Sequence, residues 1–136
     1  MLLAITGLLI LAAFIGGNGK RAEANILNLR PDRVVQETEN SKSYYFDVGS
    51  KSLGGLGIAF FTNHQNVTMY CNEARFYERL KTDSPWGHTT GSAWNFVHLP
   101  YEAKEVRIVL EQVYDSYEMN DFYLLGGNDR EIYISL

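Results

Sequence analysis

Between Gly57 and Leu99, short apolar runs alternate with polar corners, and this rhythm restricts the chain to β architectures. Gly57–Thr62 is an apolar strand, and Asn63-His64-Gln65-Asn66 forms a polar corner after it. Val67–Cys71 alternates its side chains, and Asn72-Glu73-Ala74 turns the chain into Arg75–Lys81. A polar loop, Thr82–Ala93, then leads to Trp94–Leu99. Elsewhere the same pattern returns. Tyr44, Phe46 and Val48 share one face, and Val106, Ile108 and Leu110 share one face of Lys104–Val113. Asn25–Arg30 reads as an edge strand or the lead-in to the domain, closed by Pro31, and Asp32–Ser43 as an exposed loop with one strand around Val34-Val35. Gly49–Gly57 reads as a flexible turn. Phe122–Leu125 is a short strand, Gly126-Gly127-Asn128-Asp129 a hairpin turn, and Arg130–Leu136 a closing strand with Ile132, Ile134 and Leu136 on one face. About eight strands and no amphipathic helix predict an all-β jelly-roll sandwich. Ile58, Phe60 and Thr62 face one way, while Ala59 and Phe61 face the other. A strand apolar on both sides needs something over its outer face.

The N-terminus is of another kind. Leu2–Ile15 is fourteen residues without a charge. That is short of the roughly twenty a membrane helix needs and within the about seven to fifteen of a signal-peptide core. Ala22-Glu23-Ala24 has the small-residue pattern of a cleavage site, although no basic residue precedes the apolar run. Lys20 and Arg21 follow it, as they would beside an uncleaved anchor. Residues 1–24 are therefore expected to be a signal peptide or membrane anchor. Residues 25–136 form the β-sandwich domain, 112 residues with net charge −5 once Lys20, Arg21 and Glu23 are gone. The expected location is exported: extracytoplasmic, secreted or held at the membrane.

A net charge of −4 with no basic run argues against nucleic acid as a partner. Cys71 is the lone cysteine, which precludes an intrachain disulfide, and its place in a strand predicts a buried, inert thiol. No GxSxG elbow, HExxH motif or cysteine–histidine cluster occurs, and the glycines at 54, 55 and 57 precede a strand instead of a helix. The expected domain is not an enzyme and carries no cofactor.

What remains is a surface for recognition. Aromatic faces and amides suit sugar rings and their hydroxyls. Trp86, His88, Thr89, Thr90, Trp94 and Asn95 supply them in one stretch, and Tyr117 in the Tyr114–Asp121 loop adds a ring. Trp94 has a second reading, packing in the core beside Phe96, and that reading takes precedence. Trp86 stands between solvent and a pocket. His64 and His98 are expected to be structural or exposed. Asp115, Glu118 and Asp121 gather oxygen ligands that calcium could use, without the order of an EF-hand. Asn66-Val67-Thr68 matches a glycosylation sequon.

The runs A-F-F-T-N-H-Q-N-V (59–67), W-G-H-T-T-G-S-A-W-N-F-V-H-L-P (86–100) and D-F-Y-L-L-G (121–126) resemble an extracytoplasmic sensor domain of bacterial membrane proteins. Such domains precede membrane helices in diguanylate cyclases, EAL phosphodiesterases and sensor kinases. More distantly, the order V-T-M-Y-C-N-E-A-R-F-Y, W-N-F-V-H-L-P, K-E-V-R-I-V-L is similar to the galactose-binding-like jelly roll of family 2 glycoside hydrolases. The resemblance implies an outward-facing ligand-sensing or interaction domain with no catalytic residue. A small-molecule or sugar ligand would be its partner, with the membrane reached through the N-terminal segment or a missing C-terminal region. The alternative is a plain carbohydrate-binding module.

Overall fold

The computed structural model describes residues 25–80, 91–114 and 121–136. They form nine strands and one short helix. The strands are β1 (Leu27–Leu29), β2 (Arg33–Thr38), β3 (Ser41–Asp47), β4 (Gly57–Asn63), β5 (Gln65–Cys71), β6 (Ala74–Arg79), β7 (Ser92–His98), β8 (Glu105–Gln112) and β9 (Leu124–Gly127). Helix α1 is Asp129–Ser135. One sheet has the order β1-β9-β4-β7, the other β2-β3-β8-β5-β6, and every pairing is antiparallel. The expected all-β sandwich is therefore present. No helix among the described residues is long and apolar enough to cross a membrane.

The period-2 pattern decides which face each strand buries. Tyr44 and Phe46 of β3, Val67, Met69 and Cys71 of β5, and Val106, Ile108 and Leu110 of β8 turn inward from the five-stranded sheet. Ile58 and Phe60 of β4, Val97 of β7 and Leu124 of β9 meet them from the four-stranded sheet. Phe122 knits the layers together. Its ring centroid lies 4.7 Å from Tyr44, 5.7 Å from Phe60 and 6.0 Å from Phe46. Each fully buried side chain of this size contributes about 1.5–3 kcal/mol. Cys71 lies in this core as expected, and burial, aided by the charge of Glu102, pushes its thiol pKa up.

One end of the sandwich is sewn shut. Asn72 and Glu73 both take positive φ (49° and 67°), the two-residue turn that suits the right-handed twist of a hairpin. Asn72 also donates from Nδ2 to the Glu102 carbonyl at 2.8 Å, and its Oδ1 accepts from the amides of Lys104 (2.8 Å) and Glu105 (3.1 Å). Residues 48–56 are pinned and not the flexible turn expected. Val48 and Gly49 donate to the Lys104 carbonyl, Leu53 to Val48 and Gly55 to Pro100, and Leu53 is buried.

The largest departure is at the C-terminus. Gly126 and Gly127 lie within β9, paired to β1 and β4, and do not make a hairpin turn. A Cβ at Gly126 would strike the Leu53 side chain. The closing strand expected at 130–136 is helix α1. Asn128 caps it, its side chain accepting from the Arg130 amide at 3.0 Å, and Asp129 and Glu131 place negative charge in the first turn. The alternation of Ile132, Ile134 and Leu136 misleads because Ile132 alone is buried, while Ile134 is 75% exposed. The helix lies against β4 and β9 and supplies cover for the outer side of β4, where Ala59 is fully buried.

Candidate functional site

The outer face of the four-stranded sheet carries the aromatic surface. In β7, Asn95 and Val97 point into the core, so Trp94 and Phe96 must point out. Trp94 is half-buried on that outer face, which corrects its expected place in the core. Opposite it in β4 is Phe61, 46% exposed. The two rings meet edge to face with centroids 5.6 Å apart. Cross-strand register makes this pair: Phe61 and Trp94 are direct partners, Ala59 faces Phe96, and Gly57 faces His98.

An open cavity of about 410 Å³ lies against the pair. Asp121, Phe122 and Tyr123 complete its wall. Asp121 takes a positive φ of 45°, and the Arg30 guanidinium lies 5.5 Å from the Tyr123 ring centre. Along the same face, Phe96 stacks on Tyr133 of α1, with centroids 4.3 Å apart and planes within 5°. Beside them a smaller hollow of about 210 Å³ includes His98 and Asp129, whose Nδ1 and Oδ2 are 3.0 Å apart. Polar groups also close the opposite end, where the Ser92 hydroxyl donates to Asn63 Oδ1. The face is thus an aromatic floor with polar groups at both ends. It can desolvate the flat apolar side of a ligand and hydrogen-bond its rim.

Asn95 has a different task from the ligand contact expected of it. It is 1% exposed. Its Nδ2 donates to Thr62 Oγ1 at 3.0 Å and to the Phe60 carbonyl at 3.3 Å, and its Oδ1 accepts from the Tyr77 hydroxyl at 2.9 Å. Because Tyr77 belongs to β6, this amide ties the two sheets together through the core. Burial pushes the Tyr77 pKa up, opposed by the charge of Arg79.

The remaining predicted residues divide by position. Trp86, His88, Thr89, Thr90, Tyr117, Asp115 and Glu118 lie outside the described residues. Asp121 lines the larger cavity, and among the described residues no group of three or more His, Cys, Asp or Glu is placed to hold a metal ion. His98 is exposed, as expected, and His64 sits in the β4–β5 corner with φ 61°, its ring centroid 6.1 Å from that of Tyr114. The described residues flanking 81–90 and 115–120 gather at the sandwich end opposite Asn72. Arg79 pairs with Val67 near the start of β5, Gly91 accepts from the His64 amide, and Tyr114 approaches His64.

Phe61, Tyr123, Tyr133 and the His98–Asp129 pair escape the sequence reading. Phe61 had a signal, since it is the large apolar residue on the strand face opposite the core set. The other three depend on α1, which the sequence reading took for a strand, and on the stretch into β9, whose strand it placed two residues early at Phe122–Leu125. Comparison with protein-family models, curated proteins and solved structures finds no match.

Proposed function

We propose that the chain is the extracytoplasmic ligand-recognition domain of a bacterial membrane signalling protein, a galactose-binding-like jelly roll that takes a small ligand on the outer face of its four-stranded sheet. The observation that carries this reading is the Phe61–Trp94 pair beside an open cavity of about 410 Å³, rimmed by Asp121 and Tyr123. Exposed aromatics of this size are costly to leave in water and useful against a flat ligand face. Support for the jelly roll comes from the chain path. Among the strands of the described residues, only β2–β3 and β5–β6 are hairpins within a sheet, and the other consecutive strands lie in opposite layers. Support for export comes from the uncharged run Leu2–Ile15. Ligand binding would favour one conformation of the face over another, and an attached output domain would read that shift.

Carbohydrate binding as an end in itself is the second reading, favoured by the presence of an indole at the cavity wall. Both are tested on the 136-residue chain by two-dimensional NMR with added muropeptide, chito-oligosaccharide and malto-oligosaccharide. The expected result is shifts centred on Phe61, Trp94, Asp121 and Tyr123, abolished by Trp94→Ala. Retention on an insoluble glycan would select the binding module, and binding of short fragments alone the sensor. Shifts confined to other surfaces would reject this face as the site.

A further inference from the structure

Strand β2 forms an open side of the sandwich. Among the described residues its strand partner is β3 alone, and five of its six residues, all but Val35, are exposed. The hydrogen-bond phase of β3 decides which peptide groups of β2 are left over. Gln112 donates to the Asn40 carbonyl at 2.7 Å, and Val48 donates to the Lys104 carbonyl at 2.9 Å. Even-numbered residues of β3 therefore bond to β8, which turns the peptide groups of Ser43 and Tyr45 towards β2. Their partners there are Val35 and Arg33. The N–H and C=O of Val34 and Gln36 thus point away from β3, along an edge that no further strand of the described residues pairs.

We propose that this edge pairs with the β2 edge of a second copy of the chain, antiparallel about a two-fold axis through Val35. That register sets Val34 opposite Gln36 of the copy and Gln36 opposite its Val34, and each pair exchanges both of its peptide hydrogen bonds. Val35 meets its own counterpart. One step further out, Arg33 stands opposite Glu37 of the copy, and Glu37 opposite its Arg33. Opposite charges at directly paired positions stabilise a ladder, and like charges destabilise it. Neither side chain is in an ion pair among the described residues. Arg33 lies over the Tyr45 ring, 3.9 Å from its centre, which holds it on the outer side of the sheet.

Other pairings lose this match. About Val34, the strand would set Arg33 against Val35; about Gln36, it would set Glu37 against Val35. At the opposite edge of the sheet, β6 would set Arg75 against Arg79 about Tyr77, and Arg75 against Tyr77 about Phe76. Edge strand β7 has no arginine, lysine or carboxylate to select a register. The bulge at Glu37 stops the β2 ladder from running further, so the paired stretch is residues 33–37. Two five-stranded sheets become one of ten strands. Such a contact lies at the small end of specific interfaces, under about 1,200 Å², so the dimer is weak and reversible. The Phe61–Trp94 face belongs to the other sheet and stays open in it.

The test is sedimentation equilibrium of the 136-residue chain from about 10 μM to about 1 mM, the range of a small interface. Movement from monomer to dimer is expected. Glu37→Arg sets arginine against arginine, and Arg33→Glu sets glutamate against glutamate; each should weaken self-association about tenfold or more. Mixed in equal amounts, the two variants should regain the dimer, because every cation of one then faces a carboxylate of the other. Val34→Pro removes an outward N–H that β3 does not use, and should abolish the dimer. With added diamide, Val35→Cys should cross-link to its own copy, since directly opposed residues about 4.5 Å apart at Cα fit a disulfide. Val34→Cys, about 7–8 Å from its copy on the diagonal, should not. Cys71 is buried and does not compete. A monomer throughout, self-association unchanged by Glu37→Arg, no recovery on mixing, or cross-linking of Val34→Cys as fast as Val35→Cys would each overturn the proposal.

Discussion

Replacing Asn95 with alanine tests whether the amide holds the sandwich together. The wild-type side chain makes its two shortest bonds with Thr62 Oγ1 (3.0 Å) and the Tyr77 hydroxyl (2.9 Å). Truncation removes both and leaves a small void in a site that is 1% exposed. Thr62 keeps a long contact of 3.5 Å to the Ala93 carbonyl, and Tyr77 is only half-buried, so neither partner is wholly stranded. An unsatisfied buried group costs about 1–3 kcal/mol, and the void adds to that, giving about 2–4 kcal/mol for Asn95→Ala. At about 4–8 °C per kcal/mol for a small domain, Tm should fall by about 8–30 °C. Tyr77→Phe should cost about 1 kcal/mol by itself. Thermal and urea unfolding of both single variants and the double variant completes the cycle, and the expected coupling is about 1 kcal/mol. A Tm for Asn95→Ala within about 2 °C of wild type, or strictly additive variants, would refute the inter-sheet tie. Loss of ligand response at unchanged Tm would instead return Asn95 to the recognition surface.

Ser43 Oγ is buried with no hydrogen-bond partner, although its strand face is the outer one. Ser43→Ala should therefore raise stability by about 1 kcal/mol, measured by urea midpoint, and a clear loss would show that the hydroxyl is bonded. At Gly57 an added Cβ would collide with the Asp129 carboxylate. Gly57→Ala should displace the first turn of α1 and increase amide exchange at Ile132; unchanged protection there would contradict the packing described. Burial raises the pKa of Tyr44, Tyr77 and Cys71. The unfolded chain then loses these protons at ordinary values, about 8.5 for the thiol and about 10 for the phenols, while the native chain still holds them. The contribution of these three groups should be level below about pH 8 and fall as pH rises through that window, and a urea midpoint flat from about pH 8 to about pH 11 would count against it.

How much of this was legible in the sequence varied with the range of the interactions involved. Period-2 alternation located β3, β4, β5 and β8 and their inward residues, because a half-buried strand has to repeat every second position; β7 was placed as a strand, but with its faces reversed. The edge strand β1, the buried thiol and the need for cover over β4 were also readable. Asn128 with acidic residues at 129 and 131 was a legible helix start, but a run of seven residues alternating at 132, 134 and 136 imitates a strand.

The candidate surfaces were another matter. Trp94 and Asn95 are neighbours with identical claims in one dimension, and strand pleat sends one outward and the other into the core. Phe61 joins Trp94, and Arg33, Tyr45, Arg107, Tyr70 and Arg75 become one row across the other sheet, only through cross-strand register. Local patterning determined strands and their buried faces, because burial acts on each residue through its immediate periodicity. Tertiary structure decided which faces meet, what the C-terminal helix covers and which distant side chains lie side by side. Those pairings depend on hydrogen-bond register between strands that the linear sequence does not order.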